Sequence, residues 1–320
     1  MKEILYIVVP CYNEEEMLPI SSKALLEKLN SLIKSEKISD DSRIVFVNDG
    51  SKDKTWELIC KLHDEDYHYS GICLSHNRGH QNALLAGLET SAKYADMIAS
   101  MDADLQDDIN ALDEMIDKYY AGNDVVYGVR KSRKKDTFFK RYTAQKFYKM
   151  MSEMGSEIVY NHADYRLMSK RAVNALSEYR EVNLFLRGLV PMIGFKSDLV
   201  FYERGVREKG ESKYPLKKMI SFAYEGITSM TLVPIRFVRN LGVCFSFLGF
   251  MAFVACLVLY FLNFPHMMMF SIIGFIWFMS GLILFGVGLI GDYVGKTYLE
   301  SKRRPRYIIS DFLNNETKKK

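Results

Sequence analysis

From Ile4 onward the chain alternates between short apolar runs and longer stretches of helical periodicity. Ile4–Val9, Ile44–Val47, Gly71–Leu74, Met97–Met101 and Val125–Val129 predict strands, whereas Glu15–Lys34, Lys54–Leu62, Gln81–Lys93 and Ile109–Tyr120 predict helices. Such alternation predicts an α/β fold: a mostly parallel sheet, helices on both faces, and ligands at the carboxyl ends of the strands. Each of the first four strands runs out into a polar signature: PCYNE, NDGSKDKT, SHNRGHQNA and DADLQDD. Four polar tips converging on one sheet edge predict a site there.

The pattern changes towards the C-terminus. Tyr214 to Phe237 mixes apolar and basic residues, as expected of amphipathic helices lying in a membrane interface. Leu241–Leu262 and Met267–Ile290 carry no charge, and each exceeds the roughly 20 residues needed to cross a bilayer core. Both therefore predict membrane spans. Their link, Asn263–His266, lacks Lys and Arg, which instead flank the pair at Arg236, Arg239, Lys296, Lys302, Arg303, Arg304 and Arg306. The positive-inside rule then places both termini in the cytoplasm of a two-span cell-membrane protein. The expected organisation is a catalytic domain over 1–212, interfacial helices over 213–239, a membrane hairpin over 240–291 and a basic cytoplasmic tail over 292–320.

Composition adds little to this. The chain is 48% apolar, enough for one sizeable domain besides the hairpin, and a net charge of +4 does not argue for nucleic acid. Its five cysteines form no C-x-x-C pair, so neither a disulfide framework nor a zinc knuckle is expected. The N-terminal apolar run is too short for a signal peptide and reads as the first strand.

The charge at the fourth strand end changes the picture more. Asp102, Asp104, Asp107 and Asp108 crowd a single tip. Like charges repel, and each carboxylate is costly to desolvate without a cation beside it. One reading is a solvated turn in which Asp107 or Asp108 caps the next helix; the other is a divalent cation gripped by Asp102 and Asp104. Two further motifs carry no site. His76 and His80 have H-x-x-x-H spacing, but Gly79 breaks the helix and no third ligand follows. GDYVGKT at Gly291–Thr297 is one residue short of a phosphate-binding loop and follows no strand.

Six segments in order, VVPCYNE, VNDGSKDKT, NRGHQNALLAGL, MDADLQD, ADYRLMSKRAV and REKGESKY, resemble the family 2 glycosyltransferases of GT-A fold. Within that family the likeness is greatest to the polyprenyl-phosphate glycosyltransferases. The resemblance implies inverting transfer of one sugar from a nucleotide diphosphate sugar, UDP-glucose being the first choice, to undecaprenyl phosphate at the cytoplasmic membrane face. UDP-N-acetylglucosamine, UDP-galactose and GDP-mannose are alternative donors. It implies donor contacts at Pro10, Tyr12, Glu14, Asp49, Arg78 and Asp102, and Mg²⁺ or Mn²⁺ on Asp104 with Asp102 and Gln106. Mg²⁺ prefers oxygen ligands and suits that set. Asp164 matches the position of the inverting base. A lipid phosphate is already anionic at neutral pH, so positioning the acceptor is its expected main role. Arg130, Arg204, Arg207 and Lys213 supply cations for the lipid phosphate, and a homo-oligomer is expected. A processive polysaccharide synthase is disfavoured because neither Trp56 nor Trp277 follows an Arg, and NLFLRGL occupies the region of that family's Q-x-x-R-W segment. A scaffold without turnover is disfavoured because Asp102, Asp104 and Asp164 are all intact.

Overall fold

The computed structural model describes residues 2–131, 162–181, 184–203, 240, 251 and 265–314. Strands β1 (Leu5–Cys11), β2 (Arg43–Asn48), β3 (Tyr69–Leu74), β4 (Met97–Ser100) and β5 (Val125–Arg130) alternate with helices α1 (Leu18–Lys34), α2 (Thr55–Glu65), α3 (His80–Ser91) and α4 (Ala111–Tyr120). These match the expected elements to within a few residues. Every residue of β1, β2 and β4 is buried, as helices covering both faces of a parallel sheet require.

The sheet has eight strands in the order β7-β5-β6-β4-β1-β2-β3-β8. Its centre, β4-β1-β2-β3, is parallel, and β5 pairs in parallel with β7 (Ser197–Tyr202). Strand β6 (His162–Ser169) runs antiparallel between β4 and β5. Because it runs backwards, its first residues lie at the carboxyl edge of β4, with Ser100 opposite Arg166. The chain turns one way from β1 through β2 to β3 and the other way at β4, so the loops after β1 and β4 flank the crevice where such sheets bind ligands.

Periodicity did not predict β6, β7, α5 (Lys170–Ser177), α6 (Leu186–Met192) or β8 (Ile309–Leu313). The last alters the expected basic tail over 292–320. Ile309–Leu313 pairs antiparallel with β3 at the sheet edge, and Arg306 donates to Glu89 Oε1 at 3.0 Å and to the Tyr179 carbonyl at 2.8 Å. A five-residue strand with no buried position and no alternation of burial gives too weak a sequence signal to find alone.

The chain divides into two compact units, Met1–Ala223 with Pro305–Lys320, and Tyr224–Arg304. In the second unit, α7 (Pro265–Ser301) covers the second expected span, and Ile283, Phe285, Val287 and Ile290 on it are exposed. Among the described residues no helix is long and apolar enough to cross a membrane. The first expected span, 241–262, lies outside the described residues except for Met251, and so do the expected interfacial helices over 213–239 in full.

Two apolar clusters fill the two faces of the sheet, one around Leu5, Ile7, Val9 and Phe46, the other around Tyr6, Val8, Val47 and Leu85. Helix α3 lies directly on the second face because Gly87 has no side chain. A Cβ there would stand 2.3 Å from Val8 Cγ1 and 2.8 Å from Val47 Cγ2. Gly87→Ala is therefore expected to destabilise the domain by about 1–3 kcal/mol through overpacking. Thermal unfolding of the purified protein checks this; an unchanged midpoint would show that α3 can lift without cost.

Candidate active site

The loops after β1, β2 and β3 lock into one another. Asn13 has a left-handed backbone (φ 53°), its N–H donates to Ser51 Oγ at 3.0 Å, and its side-chain oxygen accepts from the Lys52 N–H at 2.9 Å. The Glu14 N–H donates to Thr55 Oγ1 at 2.9 Å, and Glu15 Oε2 accepts from the Lys54 N–H at 3.1 Å. Pro10 is buried at the end of β1 opposite Val47, while Tyr12 is exposed at the rim.

Asp49 is buried at the end of β2 and closes the third loop. Its two oxygens accept the N–H groups of Arg78 and Gly79 at 2.7 and 2.9 Å. Burial raises its pKa despite those two donors. Asp49 thus has a structural task that the sequence reading did not give it: it fixes the turn that starts α3. Gly50 shares that task, since its φ is +63° and a Cβ would lie 2.5 Å from the Asn77 nitrogen. Arg78 keeps a buried Nε with no hydrogen-bond partner among the described residues.

The loop after β4 holds the crowded acids. Asp104 Oδ1 accepts the Gln106 N–H at 3.2 Å across a turn in which Leu105 takes a left-handed backbone (φ 52°). Asp102 is pushed up to about 6 by desolvation and by the charges of Asp107, Asp164 and Asp104, with His80 pulling the other way. That crowding fits a cation. No group of three or more His, Cys, Asp or Glu among the described residues is placed to hold a metal. Two carboxylates and the Gln106 amide are nevertheless a sufficient set for a divalent ion that completes its shell with substrate phosphates and water.

Asp107 and Asp108 do not share the capping role expected of one of them. Asp108 Oδ1 accepts the Asn110 N–H at 2.9 Å, just ahead of α4. Asp107 is buried and faces inward, accepting from Tyr202 Oη at 2.5 Å and Arg130 Nη2 at 3.3 Å. Arg130, expected to meet the lipid phosphate, is here the partner of Asp107.

Asp164, at the start of β6, is met by two guanidinium groups. Arg187 meets it with two bonds, Nε to Oδ1 at 3.2 Å and Nη2 to Oδ2 at 2.9 Å, and Arg166 Nη2 adds a third at 2.8 Å. His80 Nε2 stands 3.7 Å from Asp164 Oδ2 and 3.7 Å from Asp102 Oδ1. One imidazole thus joins the two sides of the site. Burial alone would raise the Asp164 pKa; Arg187, His80 and Arg166 outweigh it and hold the group well below the usual carboxylate range. Burial likewise opposes the imidazolium of His80, but Asp164 and Asp102 outweigh it and raise the pKa of His80. A carboxylate held that low is a poor proton acceptor and a good fixed charge.

The structure therefore brings Asp102, Asp104 and Asp164 to one edge, and places Asp49 and Arg130 in supporting bonds. Arg204, Arg207 and Lys213 lie outside the described residues. Sequence reasoning missed His80 and Arg187 as site residues. His80 stood in the sequence as half of a rejected zinc motif. The signal for Arg187 was a lone basic residue inside the apolar segment NLFLRGL.

A mostly parallel sheet with carboxylates gathered beside the β1/β4 crevice is a GT-A-type architecture. The chain belongs to glycosyl transferase family 2, whose family model matches residues 6–177, and it is accordingly a glycosyltransferase. It is 50% identical over 313 residues to the uncharacterized glycosyltransferase YkoT of Bacillus subtilis, covering 98% of this chain and 93% of that one. It is 36% identical over 308 residues to the bactoprenol glucosyl transferase of Shigella phage SfV, covering 95% of this chain and 97% of that one. A Mycobacterium tuberculosis glucosyl-3-phosphoglycerate synthase structure aligns with a TM-score of 0.45 at 12% identity, covering 71% of this chain and 78% of that one, too distant to bear on the site.

The ion pairs of Asp164 make a pH-dependent prediction. A depressed carboxylate contributes stability above its unfolded pKa of about 3.9 and loses it as pH falls through the folded value. Arg187→Met shrinks the depression. The thermal midpoint should therefore drop by a constant amount from pH 8 to pH 5, with the gap closing only below about pH 4. A gap that already closes between pH 7 and pH 5 would show that His80, not Asp164, governs the pair.

Proposed function

We propose that this glycosyltransferase is membrane-anchored and transfers a single sugar, with inversion, from a nucleotide diphosphate sugar to a polyprenyl phosphate. Undecaprenyl phosphate at the cytoplasmic membrane face is the acceptor and UDP-glucose the first donor to test. The observation that carries the reading is the meeting of Asp102 and Asp164 at His80, which sets a donor-side acid beside an acceptor-side acid on one sheet edge. The names of its bactoprenol glucosyl transferase relatives support the acceptor. The uncharged runs 241–262 and 267–290, with exposed apolar side chains along α7, support the membrane anchor.

In this reading an oxygen of the lipid phosphate attacks the anomeric carbon from the face opposite the nucleotide. The bond from that carbon to the diphosphate oxygen breaks, and the nucleoside diphosphate leaves with the electron pair. Asp104, Asp102 and Gln106 would hold Mg²⁺ or Mn²⁺, which supplies Lewis-acid stabilisation to the departing diphosphate. The end of β1 and the loop after it carry Pro10, Tyr12 and Glu14 to the nucleotide. Asp164, fixed by Arg187 and Arg166, orients the sugar and acceptor rather than removing a proton, because the attacking phosphate is already ionised.

The defining assay adds undecaprenyl phosphate and labelled nucleotide sugars to membranes containing the protein, and counts label in the organic phase. EDTA should abolish transfer and added Mg²⁺ or Mn²⁺ restore it. Asp104→Asn should fold and reach the membrane yet lose most activity, on the scale of the several kcal/mol that Lewis-acid stabilisation provides. Full activity in excess chelator would sink the metal assignment.

Asp164→Asn gives a separate test. Turnover should fall at every pH between 6 and 9, with no new rise on the alkaline side. Steep recovery of the variant at high pH would instead make Asp164 a base.

A further inference from the structure

Helix α6 has seven residues, too few to hold its own shape, and Phe185 ahead of it offers no side-chain cap. Its first residue is instead gripped at both backbone groups. Gln81 Oε1, from the first turn of α3, accepts the Leu186 N–H at 2.8 Å. Arg166 Nη1, from β6, donates to the Leu186 carbonyl at 3.5 Å, and its Nη2 donates to Asp164 Oδ1 at 2.8 Å. The next residue of the helix, Arg187, meets the same carboxylate with two bonds. The Asp164 backbone is fastened as well, since Ser100 Oγ at the end of β4 donates to its carbonyl at 2.5 Å.

These bonds close a ring: Gln81 to Leu186, Leu186 to Arg166, Arg166 to Asp164, and Asp164 back to Arg187 beside Leu186. Arg166 is 1% exposed. A buried ion pair adds little to stability over apolar packing of the same volume. What the ring supplies is direction. With Leu186 held at both backbone groups, Arg187 leaves the helix from a fixed point, and its two parallel bonds then fix the plane of the Asp164 carboxylate. Within the ring, Gln81 alone comes from α3, so it sets where α6 stands against that helix and against His80 beside it.

We propose that Gln81 and Arg166 are positioning residues for sugar transfer, acting through Leu186 to hold Arg187 and Asp164 in one orientation towards the reacting groups. The inference rests on the reading of Asp164 as the group that orients sugar and acceptor. Neither side chain has to touch a substrate for this. The cost of losing the clamp therefore falls on turnover rather than on binding, because a small misplacement of aligned groups spoils attack before it spoils affinity.

The test uses the full-length protein in membranes and the organic-phase transfer assay, with amide exchange followed over 184–192. Gln81→Met keeps the length of the side chain and its helix propensity but removes the amide acceptor. It should lower kcat about tenfold, well inside the range that misalignment produces, with the KM for nucleotide sugar and for lipid nearly unchanged. Exchange over 184–192 should quicken. Gln81→Glu should restore most of the turnover, since a carboxylate oxygen accepts the same N–H. In an Arg187→Met background, adding Gln81→Met should cost no more than about twofold, because Gln81 acts through Arg187. Arg166→Lys keeps a charge near Asp164 but cannot bridge it to the Leu186 carbonyl, and should also lower kcat. The proposal falls if Gln81→Met turns over like the parent, or loses only thermal stability with parental kcat per folded molecule. It falls equally if the loss is the same in both backgrounds, or if Gln81→Glu is as poor as Gln81→Met. Parental turnover in Arg166→Lys would overturn the part given to Arg166. If the parent itself transfers no sugar to undecaprenyl phosphate, the acceptor reading fails instead; the clamp is then judged by amide exchange, and an unchanged rate over 184–192 in Gln81→Met overturns it.

Discussion

Negative charge concentrated at one sheet edge is the constraint around which the rest of this structure is arranged. Asp102, Asp104, Asp107 and Asp164 gather there, and the charges of the other three, with burial, raise the cost of ionising Asp102. Each is met in a different way. Asp164 is neutralised by Arg187 and Arg166, Asp107 by Arg130 with a tyrosine hydroxyl, and Asp102 faces the imidazole of His80. Asp104 bonds the backbone of its own turn. The chain thus meets Asp164 and Asp107 with its own guanidinium groups.

Holding such a cluster requires backbone that does not yield, and the interlocked loops provide it. Asp49 ties the β2 loop to the first residues of α3, and Gln81 Oε1 accepts the Leu186 N–H at 2.8 Å, tying α3 to α6. His80 and Arg187 are therefore positioned by bonds on either side of them rather than by their own rotamers. Gly87 lets α3 settle on β1 and β2 closely enough for this to work. The residues that look like ligand contacts in a linear motif are, in several cases, the ones that keep the other contacts in place.

The sheet's central strands were legible in the sequence because each is a short apolar run bounded by polar turns. The four polar tips were legible because parallel connectivity obliges them to share an edge. The crowding of acids after β4 was legible as a demand for positive charge. The helical stretch 267–290 of α7 was legible as a long uncharged run, although among the described residues no helix qualifies as membrane-crossing. The edge strand β8 was hidden because none of its five residues is buried and only its pairing with β3 defines it.

The identity and order of the motifs, from PCYNE to ADYRLMSKRAV, pointed by themselves to a family 2 glycosyltransferase. Sequence periodicity, however, reports which residues face a core, not which strands run backwards. Only the antiparallel course of β6 between β4 and β5 carries Asp164 to the tip of β4, and only the packing of α3 and α6 sets His80 and Arg187 upon it. The tertiary structure likewise brought Arg130 within reach of Asp107, because a linear pattern does not report which carboxylate a guanidinium at a strand end will meet.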